Sequence, residues 1–540
     1  MDIGTRSVFI GSFIFFLALS ALFYFFFPYG NWMWVIIGPL FFVGFIDFFQ
    51  TKHAIRRNFP VLGNFRYFLE SIRPEINQYF IENNTDGRPF SREERSIVYQ
   101  RAKKVLDTLP FGTQRDVYKT GYEYIAHSLA PVHVDESKMR VMVGGPDCKQ
   151  PYDCSVFNIS AMSYGSLSKN AVMALNRGAK EGNFAHNTGE GGISQWHLKF
   201  GGDLIWQIGT GYFGCRNAEG GFDADKFKEK AALDNVKMIE IKLSQGAKPG
   251  HGGILPAEKL TPEIAEIRGV PMGQDVNSPP AHSAFSSPRG LCEFIGKLRE
   301  LSGGKPIGFK LCLGNRYEFH ALCKAMIETG IKPDFITVDG SEGGTGAAPL
   351  EFTNWIGTPG TDALILINNI LRGYDLRKDI KIINTGKVTT GFGVIKRIAL
   401  GADIIYSARA MMLAIGCIQA LRCNSNHCPA GVATQNPDLM QGLVVEDKYM
   451  RVYNFHHETI HAAAHMLGAM GLDNLNLLHP RHIKRRVSDH EIQEYSDFIT
   501  ILDEGCFLKG DIPAEHKRDY NMANPESFAA NDVKSEYRSA

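Results

Sequence analysis

Two long apolar runs open the chain. The first extends from Val8 to Pro28, and the second, after a short PYGN turn, from Trp32 to Phe49, broken only by Asp47. Each is long enough to cross roughly 30 Å of hydrocarbon as a helix, which predicts a transmembrane helical hairpin over residues 1–50. A cleaved signal peptide fits poorly, because the first run is long, crowded with Phe and lacks a small-x-small exit. Lys52, His53, Arg56 and Arg57 follow the second run, whereas the connecting turn carries no Lys or Arg. The positive-inside rule then places both ends, and the catalytic body, on the cytoplasmic side of a two-pass membrane protein. Residues 51–135 turn polar and helix-leaning, with an amphipathic stretch at SREERSIVYQRAKKVLDTL, and read as a linker or covering region.

From Val156 the pattern changes to short apolar runs, each followed by a turn and then by a helical stretch. The runs are FNISAM (157–162), NFAHN (183–187), LIWQI (204–208), KMIEIKL (237–243), IGFKLCL (307–313), FITVDG (335–340), KIINTG (381–386) and DIIYSA (403–408). Helical periods separate several of them, notably SKNAVMALNRGAKEG, YEFHALCKAMIETG, TDALILINNILRG and GFGVIKRIALG. Strands this continuously apolar are buried on both faces, as parallel strands are, and eight of them alternating with helices predict a (β/α)8 TIM barrel. A doubly wound open sheet is the alternative. The strand count and the lack of a GxGxxG turn after the first strand weigh against it. The expected organisation is a barrel over 136–445 and, over 446–540, a helical C-terminal extension ending in a polar, disordered tail.

Composition adds limits rather than detail. With 540 residues the chain exceeds one ordinary domain. It is 44% hydrophobic and 21% charged with a formal net charge of +1, so no basic excess points to nucleic acid. Ten cysteines spread over so long a chain read as thiols or metal ligands, not as a disulfide framework.

The chemistry concentrates at the C-terminal ends of the predicted strands, where barrels carry their sites. Met162-Ser163-Tyr164-Gly165-Ser166 ends the first strand and Thr188-Gly189-Glu190-Gly191-Gly192 the second. Gln245-Gly246-Ala247-Lys248-Pro249-Gly250 follows the fourth, and Ser341-Glu342-Gly343-Gly344-Thr345-Gly346 the sixth. The last two strands end at Gly386-Lys387 and Ala408-Arg409. Glycine-rich turns expose backbone N–H groups that suit a phosphate. Just beyond, Cys417, Cys423 and Cys428 stand as C-x5-C-x4-C, with Pro429 directly after the last. Closely spaced thiolates suit an iron–sulfur cluster, and three without a fourth favour a three-iron one. A zinc site with His427 as fourth ligand, or unconnected buried thiols, are the other readings of the spacing.

Taken together, SAMSYGSLSKNA, NTGEGG, IKLSQGAKPGHGG, EIRGVP, GSEGGTGAAP and CNSNHCPAGVATQNP make the stretch from Ser160 to Gly442 resemble the FMN-binding synthase domain of glutamate synthases. The resemblance implies FMN at the barrel mouth, a 3Fe-4S cluster on Cys417, Cys423 and Cys428, and 2-oxoglutarate chemistry. Carried over by motif, Met162, Ser163 and Gly165 would line the flavin and substrate pocket, with Glu190 near the substrate. Gln207 and Lys310 would face the flavin ring, and Lys248 and Arg268 would hold the two carboxylates of an oxo diacid. Gly343, Gly344, Gly386 and the backbone near Ala408 and Arg409 would hold the FMN phosphate.

Two departures qualify this. Glutamate synthases of full length begin with a nucleophilic cysteine and an amidotransferase domain, yet here about 150 residues precede the barrel and Cys148 is the first cysteine. Glutamine hydrolysis is therefore expected to be absent or supplied by another chain. Where the family's AKPGEGGQLPG carries glutamine, this chain has Ile254, within His251-Gly252-Gly253-Ile254-Leu255-Pro256. The expected function is reductive amination of 2-oxoglutarate or a related oxo acid, or its reverse, with electrons from a ferredoxin-like protein or a membrane carrier. The alternatives are an FMN enzyme acting on an N-substituted amino acid or a hydroxy acid, and a membrane redox scaffold without catalysis.

Overall fold

The computed structural model describes residues 5–26, 30–105 and 108–530. Pro28 and Tyr29 of the predicted turn, Leu106 and Asp107 of the amphipathic stretch, and residues 531–540 of the polar tail lie outside the described residues. The chain divides into two compact units, Met1–Arg88 and Pro89–Ala540.

In the first unit, α1 (Thr5–Phe26) is 22 residues long with no buried position, and is apolar and long enough to cross a membrane. α2 (Trp34–Phe49) has 16 residues, about 24 Å at 1.5 Å per residue, and is preceded by a 3-10 turn at Gly30–Met33. It is thus shorter than the run that predicted it, because the turn consumes the first residues of that run. Phe9 and Phe13 of α1 pack against Phe41 and Phe45 of α2 with ring centroids 4.8–5.6 Å apart. Asp47, the one charge in the run, is fully buried. It accepts from Arg56 Nε (2.8 Å) and the Val61 N–H (3.0 Å), and from the Asn64 side chain. A buried carboxylate without such donors would cost several kcal/mol.

The second unit begins with α3 (Arg92–Lys103), started by a capping box between Ser91 and Glu94. Its centre is a closed barrel of parallel strands: β1 (Phe157–Ile159), β2 (His186–Asn187), β3 (Leu204–Ile208), β4 (Val236–Lys242), β5 (Ile307–Leu311), β6 (Phe335–Asp339), β7 (Lys381–Thr385) and β8 (Ile404–Ser407). β8 returns to β1 through the register Ile405 to Phe157, so the sheet closes and the open-sheet alternative falls away. α4 (Lys169–Glu181), capped by Ser168, follows β1. β4 and β5 are joined by a long excursion that holds a small hairpin, Ile254–Leu255 with Val276–Asn277, and α5 (Pro262–Arg268). α6 (Arg316–Thr329), α7 (Gly360–Gly373) and α8 (Gly391–Ala399) follow β5, β6 and β7.

Side chains alternate across each strand. On β4, Ile239 and Ile241 face the surrounding helices, while Met238, Glu240 and Lys242 point inward. The lower interior is apolar: Ile205, Met238, Phe335, Ile383 and Ile404 pack with Val143, Tyr152 and Cys154 of a hairpin (Arg140–Val143 with Tyr152–Ser155) that closes the N-terminal end. Above that layer the interior turns polar, which leads directly to the site.

After the barrel comes α9 (Val445–Ala469), packed against α3, α4 and α8. Beyond it the described chain adds strands as well as helix. Ile483–Arg486 pairs antiparallel with both Ile492–Glu494 and Glu123–Ile125, and a helix at Ala514–Met522 packs on α6. That sheet joins residues some 360 positions apart, which no local pattern announces.

Candidate functional site

Glu240 of β4 is the floor of the polar interior. Fully buried, it accepts from Asn187 Nδ2 (2.9 Å), Gln207 Nε2 (2.6 Å) and Thr337 Oγ1 (2.5 Å), so each strand from β2 to β4, and β6, contributes to one network. One layer up, Lys310 Nζ lies 3.0 Å from Asp339 Oδ2, and Lys242 Nζ lies 2.7 Å from Glu190 Oε1. Burial opposes the charge on Lys310, but Asp339 and Glu240 outweigh it and hold its ammonium above the usual lysine range.

Above these charges opens a cavity of about 260 Å³ at the C-terminal mouth of the barrel. Met162, Ser163, Glu190, Gln207, Lys248, Arg268, Lys310, Gly344, Ala408 and Arg409 all line it, as do Cys417, Cys423, Cys428 and Ile254. Sequence reasoning missed Lys242 and Phe90 in this wall, and named Gln245 only as part of the turn after the fourth strand. For Lys242 a signal existed, namely a charged residue two positions from Glu240 in the inward register of its strand.

The remaining three site residues lie just behind the wall. Gly165 backs onto Arg268, where a Cβ would stand 3.2 Å from Nη2. Gly343 donates its N–H to the Gly340 carbonyl at 2.8 Å, and Gly386 abuts the Glu342 side chain while its carbonyl accepts from Arg397 Nη2 at 2.6 Å. Arg409 donates through Nη2 to the Glu342 carbonyl at 2.8 Å, tying the β8 end to the β6 loop.

Glu190 is built in tightly. A Cβ at either Gly209 or Gly253 would collide with its carboxylate oxygens, so glycine is needed there for close approach. Burial alone would raise its pKa. Lys242, Arg268 and Lys248 reverse this and hold it below the usual carboxylate range, so it is anionic at neutral pH. Lys248 is buried and its ammonium has no hydrogen bond or ion pair among the described residues. Burial, and then the charge of Lys242, lower its pKa to about 8 against the opposing pull of Glu190. Arg268, at the end of α5, gives Nη2 to the Tyr164 carbonyl at 3.2 Å and lies 5.0 Å over the Phe213 ring. Its buried Nε has no hydrogen-bond partner among the described residues, and burial lowers its pKa to about 10. The cavity therefore presents a spare ammonium and a buried guanidinium, both suited to carboxylates.

At the outer edge the three thiols share one pocket wall and repel one another as thiolates. Burial pushes Cys417 up to about 12, and burial and Cys428 raise Cys423 against Lys259 and Arg409. An all-sulfur donor set suits iron–sulfur ligation. Lys259 Nζ braces the loop by donating to the carbonyls of Ser166 (2.7 Å), Ala433 (3.1 Å) and Cys423 (3.3 Å). Gln419 exchanges two hydrogen bonds with the backbone of Phe90, and Tyr99 of α3 donates to the Cys417 carbonyl at 2.7 Å.

Residues 124–473 match the family model described as a conserved region in glutamate synthase. A glutamate synthase large subunit-like protein of Bacillus subtilis is 38% identical over 491 residues, covering 83% of this chain and 93% of that one. An archaeal NADPH glutamate synthase of Methanocaldococcus jannaschii is 33% identical over 358 residues, 66% of each chain. The NADPH glutamate synthase large chain of Bacillus subtilis is 30% identical over 388 residues, 68% of this chain and 24% of its own length.

Proposed function

Because the chain belongs to the glutamate synthase family of oxidoreductases, we propose that it is an FMN enzyme interconverting a 2-oxo acid with its amino acid, 2-oxoglutarate being the first candidate. The observation that carries this reading is that two cations, Arg268 and a Lys248 with no hydrogen bond or ion pair among the described residues, line one cavity with the anionic Glu190.

Bound FMN would supply hydride exchange at the carbon–nitrogen bond. Lys310 and Gln207 would hold the ring end, with the Lys310 charge favouring a negatively charged reduced ring, and Gly344, Ala408 and Arg409 would lie toward the phosphate. Lys248 and Arg268 bind the carboxylates and fix the reacting carbon. Glu190, ionised and braced by Lys242, cannot serve as a proton donor at neutral pH, so its part is to hold a cationic nitrogen in place. Cys417, Cys423 and Cys428 would hold a 3Fe-4S cluster, which when bound would supply single-electron exchange with a ferredoxin-like donor or membrane carrier. An anaerobic preparation should contain flavin, iron and sulfide and show a three-iron EPR signal when oxidised; finding neither chromophore would overturn the reading.

The Lys248 chemistry gives a pH dependence with a definite sign. The free ammonium is lost as pH rises through about 8, so the KM for an oxo diacid should climb above that pH, roughly tenfold per unit, with kcat little changed. A flat kcat/KM profile between pH 7 and 9.5 would remove Lys248 from substrate binding.

A second reading is favoured by Ile254. This side chain lines the cavity at the family's glutamine position and offers no hydrogen bond, which suits an N-substituted amino acid or a hydroxy acid. Under either reading the first unit would anchor the protein as a two-pass hairpin, with the barrel on the cytoplasmic side. α1 supports this by its length and by an apolar surface with no buried position. Carbonate-washed membranes should therefore retain the full chain, and its release into the wash would count against the anchor.

A further inference from the structure

α9 carries histidines at 457, 461 and 465. A four-residue spacing stacks such side chains along one helix face. Opposite them stands Glu136, in the 3-10 turn Glu136–Lys138. The ligand atoms of Glu136, His461 and His465 all lie within 4.8 Å of one another. His461 Nδ1 hydrogen-bonds to Glu136 Oε1, and the rings of His461 and His465 are 3.9 Å apart. His457 Nε2 lies 4.0 Å from the other carboxylate oxygen, Oε2. An ordinary His–Glu pair accounts for His461 alone. It leaves His465 with neither a hydrogen bond nor an ion pair among the described residues, its ring turned onto that of His461.

We propose that Glu136, His461 and His465 form a binding site for a divalent transition-metal ion, with the fourth position open to water or to His457. Two imidazoles and one carboxylate suit Zn2+ or Cu2+ rather than Mg2+ or Ca2+, which prefer oxygen donors. The site is separate from the barrel cavity, none of its ligands lining that wall. It joins positions 325 residues apart. On one side is the helix packed along the barrel; on the other is the turn that leads into the Arg140–Val143 hairpin closing the barrel's lower end. An ion there would clip the two together, and because the ligands meet only in the folded chain, binding would stabilise the native state.

The test uses untagged full-length protein and Co2+ as the probe, since the barrel thiols also bind soft ions. Visible d–d absorption without near-ultraviolet sulfur-to-metal charge transfer is expected on adding Co2+, with displacement by Zn2+. A H461A/H465A double variant should lose this absorption, and E136A should weaken binding about tenfold or more. Zn2+ should raise the melting temperature of the wild type and not that of the double variant. All three side chains are at least partly exposed, so the variants are expected to fold, which circular dichroism checks. Co2+ and Zn2+ responses unchanged in the double variant, or a wild type that binds only through thiolates, would overturn the proposal.

Discussion

Lys248→Ala is expected to abolish most turnover of an oxo diacid while leaving the fold and the flavin content intact. The two halves of that expectation come from one feature. Lys248 is buried, yet its ammonium has no hydrogen bond or ion pair among the described residues, and burial already lowers its pKa to about 8. Removing it relieves an uncompensated cation, so stability should hold or rise slightly. A bound carboxylate, by contrast, loses its charged partner in a desolvated site. Truncating one side of such a pair costs about 2–5 kcal/mol, which is about 30-fold to a few thousandfold in kcat/KM. Lys242 and Lys310 would not make so clean a test, since each is paired with a carboxylate and its removal would strand Glu190 or Asp339. Steady-state kinetics with thermal melts on the same preparations check both halves. A variant that melts far below the wild type, or one that keeps its kcat/KM, would contradict the assignment.

The second large effect is expected at the thiols. Cys428→Ala should eliminate the three-iron EPR signal and lower turnover driven by a one-electron donor by about a hundredfold or more, since a lost ligand costs at least as much as a lost outer partner. Substrate-induced changes in flavin absorption should persist, because Lys248 and Arg268 stand on the β4–β5 excursion and not on the cysteine loop. Cys428 is buried, so the methyl-sized void should cost only about 1 kcal/mol. EPR and flavin titration on one sample separate the two sites. Loss of both responses together would mean the loop is structural for the whole cavity.

The barrel was legible because parallel strands buried on both faces write themselves as continuous apolar runs. LIWQI at 204–208 is a strand over its full length. NFAHN shrinks to His186–Asn187, because the Asn158 side chain takes the Ala185 N–H at 2.8 Å and interrupts the ladder. At the site, motifs located Lys248, Glu190 and Arg268, but their meeting depends on the excursion after β4 folding over the mouth. Glu240 and Lys242 sat in plain view within KMIEIKL, and the alternation that turns them inward gives them a role only once the sheet is closed. The antiparallel sheet of residues 123–125 with 483–494, and the pairing of Glu136 with His461, span hundreds of residues and leave no local trace.

The most direct test of the central claim is an anaerobic titration of the wild-type protein with 2-oxoglutarate, followed through flavin absorption. The account predicts a saturable spectral shift that weakens above about pH 8 and is lost in Lys248→Ala. A flavin spectrum unmoved by any 2-oxo acid, or moved equally in the variant, would contradict it.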